Sequence, residues 1–357
     1  MAAHRGRLSR PHRGRGGDGL EETFMSQTDV RLDGSPELRT EREATPGSAG
    51  RRREGLMVPK ADFDSYYGRP VLHEPTWHAP DIGGYLFLGG LAGASSALAA
   101  AAELTGRHRL ARVSKVAALG ALGGSFYALI HDLGRPERFL NMLRVFKVTS
   151  PMSVGTWILT AYGPQAACAV ATDLTGRFPR LGRAATIGAG LTGPAVATYT
   201  AALICDTAVP VWHEGFREMP FLFAGSATAA AGGLGLLAAP LSEAGPARRA
   251  ALLGAAVECA AAMRMERRLG PLAEPLRRSR LLRSGEVLSL AGALAGVTIG
   301  RRSRIAAMAA GAALLAGSAC TRFGIFHAGM ESANDPKYTV QPQRRRLARA
   351  KAERELT

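Results

Sequence analysis

From Pro80 to about Gly329 the chain repeats one unit, an apolar stretch of Ala, Gly, Leu and Val followed by a short basic connection. The stretches fall at roughly 81–102, 111–131, 152–173, 184–206, 219–240, 247–265, 285–301 and 303–327. Each is about 20 residues long, enough for a helix to cross a hydrocarbon layer of about 30 Å. Gly and Ala bury too little area to hold a soluble bundle of this size together. In lipid the same residues let helix backbones approach closely. The expected fold is therefore all-α: a polytopic membrane protein of about eight transmembrane helices arranged as two four-helix bundles. Only Arg301, Arg302 and Arg304 separate the last two stretches, so these form either a tight helical hairpin or a partly interfacial pair.

A mean hydropathy of +0.01 hides this pattern, because two polar, Arg-rich ends offset the apolar middle. Residues 1–60 are rich in Arg, Gly, Glu, Ser and Pro without apolar periodicity and read as a disordered basic tail. Residues 61–330 form the transmembrane domain, and 331–357 a basic C-terminal tail. No cleaved targeting segment is expected, since the arginines near the start precede no short apolar core. The net charge of +16 sits in the tails and between apolar stretches. Basic flanks of membrane helices account for it, and nucleic acid is not an expected partner. An even number of crossings puts both termini on one side of a cell membrane, and the basic tails favour the cytoplasmic side. Four cysteines, Cys168, Cys205, Cys259 and Cys320, lie in or at the ends of apolar stretches without CxxC spacing, so no iron-sulfur or zinc site is expected.

Counting crossings sorts the polar residues onto one face. That face receives Tyr66 to His78, Asp81 and Tyr85 at the start of span 1, and HDLGRPERF (131–139) after span 2. It also receives TSPMSVGTW (149–157), CDTAVPVWHE (205–214), Glu266 and HAGMESANDP (327–336). The opposite connections are short and mostly basic. Ionisable groups near a hydrocarbon core are costly, so their concentration on one face marks a functional vestibule. Asp81, Tyr85, His131 and Asp132 offer carboxylate, phenol and imidazole groups that can hydrogen-bond a polar ring and exchange protons with it. Structural roles stand beside these: helix-end hydrogen bonding for His131, an N-terminal cap for Asp81, packing for Tyr85, and loop, partner or lipid-headgroup contacts for Arg135. His131, His213 and His327 all lie at or beyond span ends, so no heme is expected; nor is any metal. Electron transfer would then need an organic carrier held beside a metal-bearing partner. A weak echo between the blocks at Tyr85 and Phe221 fits two parallel four-helix units.

The run HDLGRPERFLNMLRVFKVTSPMSVGTWIL (131–159) resembles the NrfD/polysulfide reductase membrane-subunit family. YYGRPVLHEPTWHAPDIGGYLFLGGLAG (66–93), TAVPVWHE with MPFLFAGSA, and AGMESANDPKYTVQPQR (328–344) resemble it too, so the likeness spans about 60–345. It implies the quinone-reactive subunit of a respiratory oxidoreductase, inactive alone, that binds menaquinone or another quinone non-covalently. The implied partners are an iron-sulfur electron-transfer subunit, a molybdopterin catalytic subunit and membrane lipid. Asp81, His131 and Asp132 would move protons, and Asp81, Tyr85, His131, Asp132 and Arg135 would contact the quinone. A secondary transporter or ion-translocating protein is the alternative, disfavoured because the polar residues gather toward one face and the repeat is parallel. The long basic tail and the Arg-rich segment LGPLAEPLRRSRLLRSG depart from what a quinone pocket requires.

Overall fold

The computed structural model describes residues 71–72, 75–133 and 141–355, and every regular element among them is helical. Eight long helices stand where the apolar stretches predict them. They are α1 (Ala79–Leu104), α2 (His108–Asp132), α3 (Pro151–Thr175), α4 (Pro179–Cys205), α5 (Met219–Ala238), α6 (Gly245–Leu269), α7 (Arg280–Val297) and α8 (Arg304–Asn334). Short helices at Pro210–Glu214 and Glu274–Arg278 lie in connections. The basic segment after α8 forms a further helix, α9 (Lys337–Glu355). The N-terminal tail to residue 60 lies outside the described residues.

Local chemistry sets the helix ends. Pro lies in the first turn of α1, α3 and α4, where its missing N–H costs no helical bond. Ser150, Ser279 and Ser303 cap α3, α7 and α8, their hydroxyls accepting from Ser153 N, Leu282 N and Ala306 N. Gly176 closes α3 at φ 67°, a conformation glycine adopts without penalty. The last two long helices form the tight hairpin, turning through Ile299–Arg301.

Helices α1, α2, α4, α5 and α8 are long and apolar enough to cross a membrane. The other three are comparable in length but more polar: α6 carries arginines at both ends and Glu258 within, and α7 carries Arg283 and Glu286. They complete two four-helix bundles, α1–α4 and α5–α8, with the seam formed where α1 and α4 meet α5 and α1 meets α8. Small residues make this packing close. A Cβ on Gly93 would run into the carbonyl oxygen of Gly193, and one on Gly193 into that of Gly93, so α1 and α4 touch backbone to backbone.

One end of the molecule, called proximal here, collects the start of α1, the end of α2 and the starts and ends of their counterparts in the second bundle. Trp77, just before α1, stacks on buried Trp212 at 5.8 Å. The Trp212 indole N–H donates to Ile325 O of α8 at 2.8 Å. At the same end Lys337 pairs with Glu274 at 3.1 Å, Tyr338 donates to Glu274 at 3.2 Å, and Arg346 reaches Glu214.

Candidate functional site

The start of α1 and the end of α2 place four ionisable side chains together. Asp81 lies in the first turn of α1, where its charge complements the exposed N–H groups of the helix dipole. His131 lies in the last turn of α2, the end that favours positive charge. Their side chains meet, with His131 Nδ1 2.9 Å from Asp81 Oδ2. A second pair lies beside them. His78 Nδ1 is 3.8 Å from Asp132 Oδ1, and the His78 backbone N–H donates to the same oxygen at 3.4 Å. The carboxylates are the shielded partners, at 17% and 14% side-chain exposure for Asp81 and Asp132, against 63% and 74% for His131 and His78.

This arrangement holds the acids in place and presents the imidazoles. Asp81 engages Nδ1 of His131, leaving Nε2 to meet another group. Tyr127, one turn earlier on α2, stacks on the His131 ring at 6.0 Å and restricts its tilt. Ligand atoms of His78, Asp81 and Asp132 all lie within 4.8 Å of one another, so the same side chains offer a donor set for a cation or a polar ring.

Tyr85 belongs to a different environment. It shares a helix face with Asp81 by spacing, yet its ring is buried, and its hydroxyl meets that of Tyr199 on α4 rather than the exposed cluster. One turn separates the tyrosine pair from Asp81. Arg135, with most of DLGRPERF, lies outside the described residues. The structure thus joins Asp81, His131 and Asp132, adds His78, and sets Tyr85 deeper with Tyr199.

Residues 73–250 match the protein-family model "Polysulphide reductase, NrfD". The chain belongs to the NrfD family. The match contains all of α1–α5 and both histidine–carboxylate pairs, and is shorter than the likeness to residues 60–345 expected from motifs. No curated protein matches the chain. As an NrfD protein it is an all-α polytopic membrane protein of the type that serves as a membrane subunit in polysulphide-reductase-like oxidoreductase complexes.

A second polar group in this NrfD chain escaped the sequence reading. Glu258 of α6 and Arg322 of α8 are buried, at 5% and 0% exposure, with Ser226, Ser289, Ser318 and Thr321 around them. Thr321 donates to Glu258 Oε1 at 2.7 Å. Arg322 donates to Phe223 O at 2.6 Å and lies 3.7 Å over the Phe223 ring. The signal was present in the sequence, because each is an ionisable residue inside an apolar stretch.

Proposed function

We propose that this NrfD chain binds a quinone at the proximal end of the first bundle and exchanges electrons there with an iron-sulfur partner subunit. The observation that carries the reading is the His131–Asp81 contact at 2.9 Å, a proton-exchanging imidazole oriented by a shielded carboxylate beside a second pair of the same kind. The donor set suits a quinone headgroup, which needs hydrogen bonds at two carbonyl oxygens and a route for protons. A bound quinone supplies a couple that takes up or releases two electrons and two protons.

The residues of this chain would do the rest. His131 Nε2 would donate to a carbonyl oxygen and pass its proton there, and Asp81 at Nδ1 would hold the tautomer and stabilise the imidazolium. Exposed His78, paired with the shielded Asp132, would return protons from bulk water. Tyr85 and Tyr199, a turn deeper, would form the apolar floor with their hydroxyls bonded to each other and turned away from ring chemistry. Electrons would come from or go to a docked iron-sulfur protein wired in turn to a molybdopterin subunit. Menaquinone is the carrier proposed.

The test is quinol-dependent turnover of the assembled complex with Asp81→Asn, His131→Gln and the double variant, together with quinone content of the purified subunit. Loss of turnover with normal assembly supports the assignment. Wild-type turnover of the double variant overturns it.

A further inference from the structure

In the second bundle, a cavity of about 280 Å³ is lined by Glu258, Cys259, Ser289 and Thr321 at its inner part and by Glu266, Arg277, Arg283 and Glu286 nearer the proximal end. Glu266 ends one wall, with Arg277 Nε 3.6 Å from its carboxylate. Eight residues along α6, about 12 Å at the helical rise, separate Glu266 from Glu258. Glu286 stands between on α7, accepting from Cys259 Sγ at 3.4 Å. Carboxylates therefore recur from the mouth inward to a residue in the middle of a long helix.

Several polar atoms at the inner end have no hydrogen-bond partner among the described residues. These are Glu258 Oε2, Ser289 Oγ and the Nε and Nη1 atoms of Arg322. A buried carboxylate or guanidinium left unbonded is costly by some kcal/mol, and ordered water is the usual remedy where a polar cavity adjoins. Here one adjoins, with Glu258 and Ser289 in its wall and room for several waters. Arg322 also reaches the seam between the bundles, since a Cβ on Gly90 of α1 would stand 3.2 Å from its Nη2. A purely structural role for Glu258 and Arg322 would need neither the cavity nor the carboxylates along it.

We propose that the second bundle holds a proton-exchange site separate from the quinone site: Glu258 binds and releases a proton through a water-filled cavity open to the proximal end, beside the fixed positive charge of Arg322. When Glu258 releases its proton, cavity water accepts it and passes it outward past Glu286 and Glu266. Uptake runs the same path in reverse. No electron carrier takes part, so the proposal does not depend on where the quinone binds.

Cys259 is a built-in reporter, because it lies in the cavity wall next to Glu258. The full chain in sealed membrane vesicles of either orientation is treated with a charged, membrane-impermeant thiosulfonate, and separately with dicyclohexylcarbodiimide, which couples to protonated carboxyls in apolar surroundings. Peptide mass mapping reads both. The expected result is modification of Cys259 only from the side that carries α9, and a carbodiimide adduct on Glu258 that diminishes as pH rises. Glu258→Gln should lose that adduct and keep the Cys259 labelling, which shows that the cavity persists. Labelling of Cys259 by a lipid-soluble maleimide alone, or absence of the Glu258 adduct at every pH, would overturn the proposal. Either failure leaves the quinone assignment standing, because neither measurement involves quinol turnover.

Discussion

His131 Nδ1 and Asp81 Oδ2 stand 2.9 Å apart, closing the proximal end of the first bundle between residues fifty positions apart in the chain. Both lie at helix termini whose dipoles already favour their charges, so the pair needs little help from its surroundings. Its geometry leaves one imidazole nitrogen for a ligand and one for the acid. In the proposed role the pair would act as a general acid–base, a contribution of about 10²–10⁴-fold. Asp81→Asn should therefore cut quinol turnover of the assembled complex by roughly 10²-fold and displace its pH optimum, while leaving subunit abundance unchanged in the membrane.

The tyrosine pair tests packing rather than chemistry. Tyr85 and Tyr199 are both buried and their hydroxyls bond each other across α1 and α4. Removing one hydroxyl leaves the other unsatisfied, a loss of about 1–3 kcal/mol. Removing both leaves nothing unpaired. Thermal unfolding in detergent should show Tyr85→Phe and Tyr199→Phe each destabilising, and the double variant less destabilised than the sum of the two.

Gly93 and Gly193 make a sharper steric prediction. Leucine at Gly93 has to displace the backbone of α4, which is not a flexible side chain that can move aside. The variant should lose about 1–3 kcal/mol or fail to assemble, seen as loss of the monodisperse peak in size-exclusion chromatography. Gly120 on α2 is the control. Nothing lies within 4 Å of a Cβ there, so Gly120→Ala should fold normally and gain up to about 1 kcal/mol of helix propensity.

Attachment of α9 should depend on pH. The Lys337 ammonium beside Glu274, with the Tyr338 hydroxyl also bonded to it, holds that carboxyl below the usual carboxylate range. A lowered folded-state value means that the pair stabilises docking above the ordinary carboxylate value and ceases to do so as pH falls through the lowered one. Hydrogen exchange of α9 should therefore accelerate on acidification, and Lys337→Ala should produce that acceleration already at neutral pH. Added salt should weaken the attachment in the wild type, as expected for an exposed ion pair.

Much of the fold is legible without coordinates because membrane helices are local objects. Eight apolar stretches mark eight long helices, because each stretch carries enough apolar residues in succession to form a span whatever its neighbours are. The candidate site was legible in part. Asp81, His131 and Asp132 could be assigned to one end by counting crossings, whereas His78 was seen only as part of the approach to α1. Tyr85 was placed with Asp81 by helical spacing, and the structure turns it toward Tyr199 instead.

By itself the sequence determined the all-helical membrane architecture, the family, and the end of the molecule where ionisable groups collect. All three depend on composition, period and short motifs, which act over a few helical turns. Only the tertiary structure decided that Asp81 pairs with His131, that Tyr85 meets Tyr199, and that Glu258 opens onto a cavity beside Arg322. Those outcomes depend on how each helix is rotated about its axis against neighbours distant in the chain. That rotation is set by the joint packing of all eight helices, which no single stretch encodes.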